Sequence, residues 1–361
     1  MTAAAGQVFG LVGALAAFPR RLAAREVERQ GGELQHGSTR RTTHVVFGRR
    51  LLDRASEAKL ETRLDMLAAG VTPLSENGFL RMLGLLGAPE QSAMTRQSLI
   101  EQSKIPPRAL DMLSLFDAFE HQAEPYSFRD LILARKYTGL LASGAGWSAI
   151  ARSVHRSGAV ASLTALSLHA DGRDAIYARL GEGLSELDGQ GLLPLGRAED
   201  VEADELFALA EDAEEDGHFT EAAALYGRCL AADPVDSVAA FNRANCLRAD
   251  GLEAEAAQGY MRAIKLDPRF IEAWFNLAGL LAAQGKAGAA RRHLRKAITL
   301  DPTYADAMFN LAKLEYEADN LLEARRWWSA YLELDATSEW AQTAARGVQY
   351  ADLHLKQRTA G

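Results

Sequence analysis

Between residues 203 and 338 the small and apolar positions recur every 34 residues. Asp233-Pro234, Asp267-Pro268 and Asp301-Pro302 mark the step, and Asp335-Ala336 keeps it without the proline. Each unit holds two stretches with helical spacing. The first carries Ala210, Ala244, Ala278 or Ala312 at its eighth position. The second carries Ala222, Ala256, Ala290 or Ala324, followed one helical turn later by Tyr226, Tyr260, Leu294 or Trp328. Small side chains at fixed positions let two helices cross closely. Gly217, Gly251 and Gly285 fall between the stretches, where a helix end calls for left-handed backbone; Asp319-Asn320 takes that place in the fourth unit. Proline then stops the second helix. The pattern predicts four helix pairs, and a closing helix over 339–355 to cover the last apolar face.

The first half has a different rhythm. Short apolar or β-branched runs at 8–15, 43–47 and 71–74 predict strands, and helical spacing predicts helices at 20–30, 59–69 and 77–86. Helices follow at 94–102 and 107–116 around a turn at 103–106, with Pro107 well placed in a first turn. Residues 126–155 predict two more, broken at 144–146. Runs at 163–168, 175–180 and 189–195 suggest short strands, and 196–202 reads as a linker. The expected architecture is multidomain and mainly α. A small α/β domain occupies 1–88, a helix-turn-helix 94–156, a short β-rich segment with linker 157–198, and an α-solenoid with its closing helix 199–361.

Charge divides the chain at the same place. Residues 1–156 hold 20 Lys and Arg against 15 Asp and Glu, while 199–338 hold 14 against 26. A basic half and an acidic half suggest different partners. The two cysteines, Cys229 and Cys246, form no CxxC pair and sit at small-residue positions, as buried free thiols of a reducing compartment would. The apolar run at 8–18 lacks a basic flank and is too short to span a bilayer, so no membrane partner and a cytoplasmic location are expected.

The 34-residue period and its signature positions resemble the tetratricopeptide repeat. The resemblance implies that the second, fifth, sixth and ninth residues of each unit line a groove that holds another polypeptide. The fifth residue is Phe207, Phe241, Phe275 or Phe309, and the sixth is Asn242, Asn276 or Asn310 after Ala208. A carboxamide both donates and accepts, so an Asn row can pair with a peptide backbone of any sequence. The row resembles the asparagine ladder of the O-linked GlcNAc transferase repeats; the alternative is that it bonds only within the array. The expected peptide-binding set is Phe241, Asn242, Asn245, Phe275, Asn276, Phe309, Asn310 and Lys313. Arrays that grip a C-terminal carboxylate use Lys and Asn where this chain has Phe207 and Glu211, so that use is not expected.

In the first half, FGLVGAL with Gly13, QGGEL, TTHVVFG and VTPLSENGFLRML resemble a BRCT domain, with Phe79 in the place of the usual Trp. Members that read phosphate place a hydroxyl where this chain has Val12 and a lysine that would be Lys59. The run from Tyr126 to His155 resembles the MerR family through Asp130-Leu131, Leu140-Leu141, Gly146 and Ile150. That implies a winged helix-turn-helix on double-stranded DNA, with Lys104, Arg108, Arg129, Arg135 and Lys136 as the contacts and Arg108 as the base reader. Asp111 and Glu124 stand where the family places polar or cationic residues, and the wing is short.

No catalytic signature appears. The histidines are scattered, no HExxH or GxSxG occurs, and 279–286 only mimics a phosphate loop at an interhelix turn. No metal or cofactor is expected. The sequence therefore predicts a non-enzymatic regulator that binds DNA through its first half and a partner peptide through its repeats, nucleoid-associated in that case; the alternative is a protein scaffold without DNA.

Overall fold

The computed structural model describes residues 3–87, 89, 92–156, 167–171, 175–180, 183–186 and 198–360, with backbone alone for the segments between 157 and 204 and for 358–360. It divides into two compact units, Met1–Ala208 and Leu209–Gly361.

The first unit opens with a four-stranded parallel sheet in the order β2-β1-β3-β4. Its strands are β1 (Val8–Val12), β2 (Glu33–His36), β3 (His44–Phe47) and β4 (Thr72–Ser75). Helix α1 (Arg20–Arg29) links β1 to β2, and a 3-10 turn (Arg49–Asp53) with α2 (Glu57–Asp65) links β3 to β4. Helix α3 (Glu76–Met82) follows β4 directly. Strand β2 was not expected: ELQH is short and polar. Its Leu34 and His36 nevertheless turn inward.

Four helices complete the unit's described core: α4 (Arg96–Ser103), α5 (Pro107–Leu115), α6 (Phe128–Ala142) and α7 (Trp147–Arg156). Phe47, Leu52, Leu60, Leu110, Leu113, Phe116, Tyr137 and Trp147 share one core, so sheet and helices pack together. The wing expected beside α5 is a single bridge between Met94 and Tyr126. The expected strand at 175–180 is found as β6 (Ala175–Leu180), between β5 (Ser167–Asp171) and β7 (Gly183–Glu186) in an antiparallel sheet. The expected strand at 189–195 and most of that at 163–168 lie outside the described residues.

Helix α8 (Ala198–Glu215) leads to the repeats. Its Phe207 is buried and stacks on His36 of the first unit (4.0 Å between centroids), so it does not continue the row of Phe241, Phe275 and Phe309. The second unit continues with α9 (Phe219–Ala232), then the pairs α10 (Ser237–Ala249) with α11 (Glu253–Leu266), α12 (Ile271–Ala283) with α13 (Ala287–Leu300), and α14 (Ala305–Glu317) with α15 (Leu321–Leu334). Helix α16 (Glu339–Ala360) closes it, five residues longer than expected.

The small positions do what the period implies. Ala222, Ala256, Ala290 and Ala324 are fully buried, as are Ala210, Ala244, Ala278 and Ala312. A Cβ on Gly259 would come 2.7 Å from that of Ala244, so these helices cross at contact. Gly217, Gly251 and Gly285 hold φ of +78°, +77° and +72°, and Asp319 takes the same place at 59°. The run at 279–286 is thus helix end and turn. Both cysteines are buried thiols, pushed up to about 12 by burial, so neither is a ready nucleophile.

Candidate functional site

The first helix of each pair presents its fifth and sixth residues on one face of the array. Phe241 packs on Phe270 (4.7 Å) and Tyr260, Phe275 on Tyr304 (4.9 Å), and Phe309 on Tyr331 (5.3 Å). Each of these contacts lies within one 34-residue unit and ties its two helical stretches together, so the row is structural as much as groove lining.

The three asparagines differ. Asn242 Nδ2 donates to Tyr226 Oη (3.2 Å), which itself donates to Glu214 (2.8 Å). Asn276 Nδ2 donates to Asn245 Oδ1 (3.0 Å), which also accepts from Tyr260 Oη (2.9 Å). Asn310 has no hydrogen-bond partner among the described residues. The cause lies in the repeat itself. Asn242 and Asn276 each have a tyrosine sixteen residues earlier, whereas Asn310 has Leu294; Asn276 has Asn245 thirty-one residues earlier, whereas Asn310 has Gly279. Both partners of the third carboxamide are lost together. A half-buried amide without a partner has its hydrogen bonds to give to a ligand or to water.

Asn310 lines an open pocket of about 240 Å³ with Phe275, Asp306, Phe309, Tyr331 and Trp340. Trp340, on the closing helix, is 63% exposed and meets Phe309 edge to face (5.0 Å). Asp306 is exposed and has no ion-pair or hydrogen-bond partner among the described residues. Trp340 and Asp306 were absent from the expected set. The period would have found them, because Glu272, Asp306 and Trp340 are successive second positions of 34-residue units. Lys313 is not part of the pocket and lies 4.0 Å from Glu317.

The five expected DNA contacts are not gathered on a free helix face. Arg108 donates to the Glu61 carbonyl (2.9 Å) and pairs with Asp65 (2.9 Å). Arg129 pairs with Glu120 (3.3 Å), and Arg135 donates to the Gln102 carbonyl (3.2 Å). Burial lowers Lys136, and Lys104 ends α4 in left-handed backbone. Helix α5, cast as the recognition helix, buries Ala109, Leu110, Met112, Leu113, Ser114 and Leu115, which leaves little face to enter a groove. The two unexpected acids have an internal role: Asp111 pairs with the Arg96 guanidinium (2.7 Å), and Glu124 accepts the Arg96 backbone N–H (2.7 Å).

Two other clusters have the makings of a site. Glu120, His121 and Asp130 could meet at one metal ion. Asp130, however, is fully buried and already accepts from the Glu120 and Ser127 backbone N–H groups and the Ser127 hydroxyl, as the capping box of α6. Ser92, His121 and Asp130 also stand in the order of a hydrolytic triad, at 3.2 and 2.7 Å. The Ser92 hydroxyl donates to the Pro125 carbonyl (2.6 Å), so its proton is not offered to the ring as a general base requires.

After β1, converging backbone N–H groups are taken up by a carboxylate of the chain itself. The Glu76 carboxylate accepts the backbone N–H groups of Ala16 (3.0 Å), Ala17 (2.6 Å) and Arg49 (3.0 Å) and pairs with the Arg49 guanidinium (3.1 Å). Burial alone would raise its pKa; Arg49 and these donors hold it below the usual carboxylate range.

Residues 207–269, 260–292 and 281–347 match family models described as tetratricopeptide repeat, so the helix pairs are tetratricopeptide repeats. No curated protein matches the chain. Among solved structures, that of MamA is 18% identical, covering 42% of this chain and 98% of its own, with a TM-score of 0.36. That of YrrB, described as a TPR protein with an unusual peptide-binding site, is 18% identical over 43% of this chain and 79% of its own, at 0.39. PilF of Pseudomonas aeruginosa is 20% identical over 44% and 77%, at 0.36. No described helix is long and apolar enough to cross a membrane.

Proposed function

We propose that this chain is a non-enzymatic adaptor whose repeats hold an extended segment of a partner protein. The observation that carries the reading is the Asn310 carboxamide, which has no partner among the described residues and stands on the wall of an open aromatic pocket, while its two counterparts are tied within the array. A free amide beside aromatic rings binds a peptide backbone and one of its side chains without demanding a particular sequence. The grip therefore sits at the last pair and the closing helix, rather than along the whole asparagine row.

Selection of a displayed peptide library on the full chain tests this. Peptides should be recovered, and Asn310→Ala should weaken them at least tenfold with the melting temperature unchanged. Equal affinity for wild type and Asn310→Ala would overturn it. The wider regulator reading has less behind it, because three of its five candidate cations are bonded inside the first unit. An electrophoretic mobility assay at low salt should show no retardation of duplex DNA by the full chain, since phosphate binding needs uncommitted cations.

A further inference from the structure

The pocket at Asn310 holds two further groups that a backbone clamp does not use: the Asp306 carboxylate and the exposed Trp340 indole. We infer that this pocket takes the guanidinium of an arginine on the bound segment. The inference rests on the peptide-adaptor reading and names the side chain that reading leaves open.

Each feature bears on the choice. An indole is the strongest of the aromatic partners for a cation, and here it is largely exposed, with Phe309 and Tyr331 rings beside it. Asp306 has no cation partner among the described residues, so a bound guanidinium replaces water rather than an existing pair. The planar fork of arginine suits both demands at once, stacking on a ring while pointing two N–H groups at a carboxylate. Lysine offers a point charge without the flat face. The cavity, at about 240 Å³, is smaller than pockets that enclose a drug-sized molecule and fits one large side chain. The nearest cation on the same helix, Lys313, is seven residues from Asp306, about 10 Å along the axis, and is turned to Glu317. The surrounding repeats carry 26 acidic residues against 14 basic over 199–338, a field that draws a basic segment and repels an acidic one.

The test uses the full chain labelled with 5-fluorotryptophan, whose five fluorine signals are assigned by single Trp→Phe variants. N-acetyl-arginine amide is titrated against N-acetyl-citrulline amide, which has the same shape without the charge. The Trp340 signal should move with arginine and saturate, respond at least fivefold more weakly to citrulline, and lose that preference in Asp306→Asn. The Trp147 signal, in the other unit, should stay still. Equal responses to the two amides, or an arginine response unaltered by Asp306→Asn, would overturn the inference. The adaptor reading is read separately. Library peptides whose affinity depends on Asn310 but not on any arginine leave the groove standing and remove the guanidinium; a selective Trp340 response with no peptide recovered does the reverse.

Discussion

Glu76 and Asn310 are polar side chains set among apolar neighbours, one in each unit. Glu76 is fully buried and receives three backbone N–H groups and a guanidinium. Asn310 receives no hydrogen bond from the described residues. The contrast extends to their surroundings. In the first unit Asp130 is closed by its capping box, Arg96 by Asp111, Arg108 by Asp65 and Arg49 by Glu76. In the second, Asp306, Asn310 and Trp340 stand open on one pocket. A polar group closed on its own chain contributes to stability; one left open is available for binding. Charge totals do not make that distinction, which is why a basic first half does not by itself amount to a nucleic-acid surface.

The comparison breaks most readily at Glu76. Glu76→Ala leaves three N–H groups unmatched in the interior and Arg49 with the more distant Asp117 carboxylate (3.9 Å), and should destabilise the first unit by about 3–5 kcal/mol, read from the Trp147 fluorine signal during urea unfolding. Unchanged unfolding would mean the network is not closed.

Acid comes next. Burial pushes Asp117 up to about 6 and His155 down to about 4, and the His155 ring bonds the carbonyl of Phe116, the residue before Asp117 (2.7 Å). Protonated Asp117 favours the fold, so its contribution is full below about pH 4 and is lost as pH rises through 6. Neutral His155 favours the fold above about pH 6.5, and that contribution is lost as pH falls through 4. The two slopes oppose each other across pH 4 to 6. Asp117→Asn and His155→Gln should each uncover the other's slope, about 3 kcal/mol over the window, in denaturation series at stepped pH. Parallel slopes in the two variants would refute the assignment.

The asparagines give a smaller but sharper contrast. Asn276→Ala breaks an internal bond and should cost the array about 1 kcal/mol. Asn310→Ala should leave stability within about 0.5 kcal/mol and remove peptide binding. Calorimetry and peptide titration on the same samples would separate the two. The smallest effect is expected at Asp319, which holds left-handed backbone where three other units place glycine. Asp319→Gly should stabilise the last pair by about 0.5 kcal/mol, seen as a raised midpoint for the Trp328 fluorine signal.

Much of this was legible in the sequence, and unevenly so. The period of 34 announced the helix pairs of the array, because small residues must recur where helices cross, but not that the first helix starts at Ala198, inside the stretch read as a linker. The parallel strands with β-branched runs were equally plain. Strand β2 was not, since four residues of ELQH carry no clear alternation until neighbours on both sides are known. Glu76 sits in the first turn of α3 after the Ser75 cap, and nothing local says that residues 16, 17 and 49 converge on it. The split among the asparagines was present in the letters, as Tyr226 and Tyr260 against Leu294. It could be read only once the sixteen-residue spacing was known to bring those side chains to the asparagines, which is a property of the helix packing rather than of the repeat.

Because the pocket combines Phe275, a whole helix pair and Trp340 of α16, it lies at a seam and belongs to no single unit. Reach and selectivity are therefore separable quantities in this protein. A 34-residue unit inserted after Asp236 would lengthen the track for a bound chain while leaving every wall of the pocket in place. Grafting residues 339–360 behind another array would carry the indole alone, and no selectivity with it.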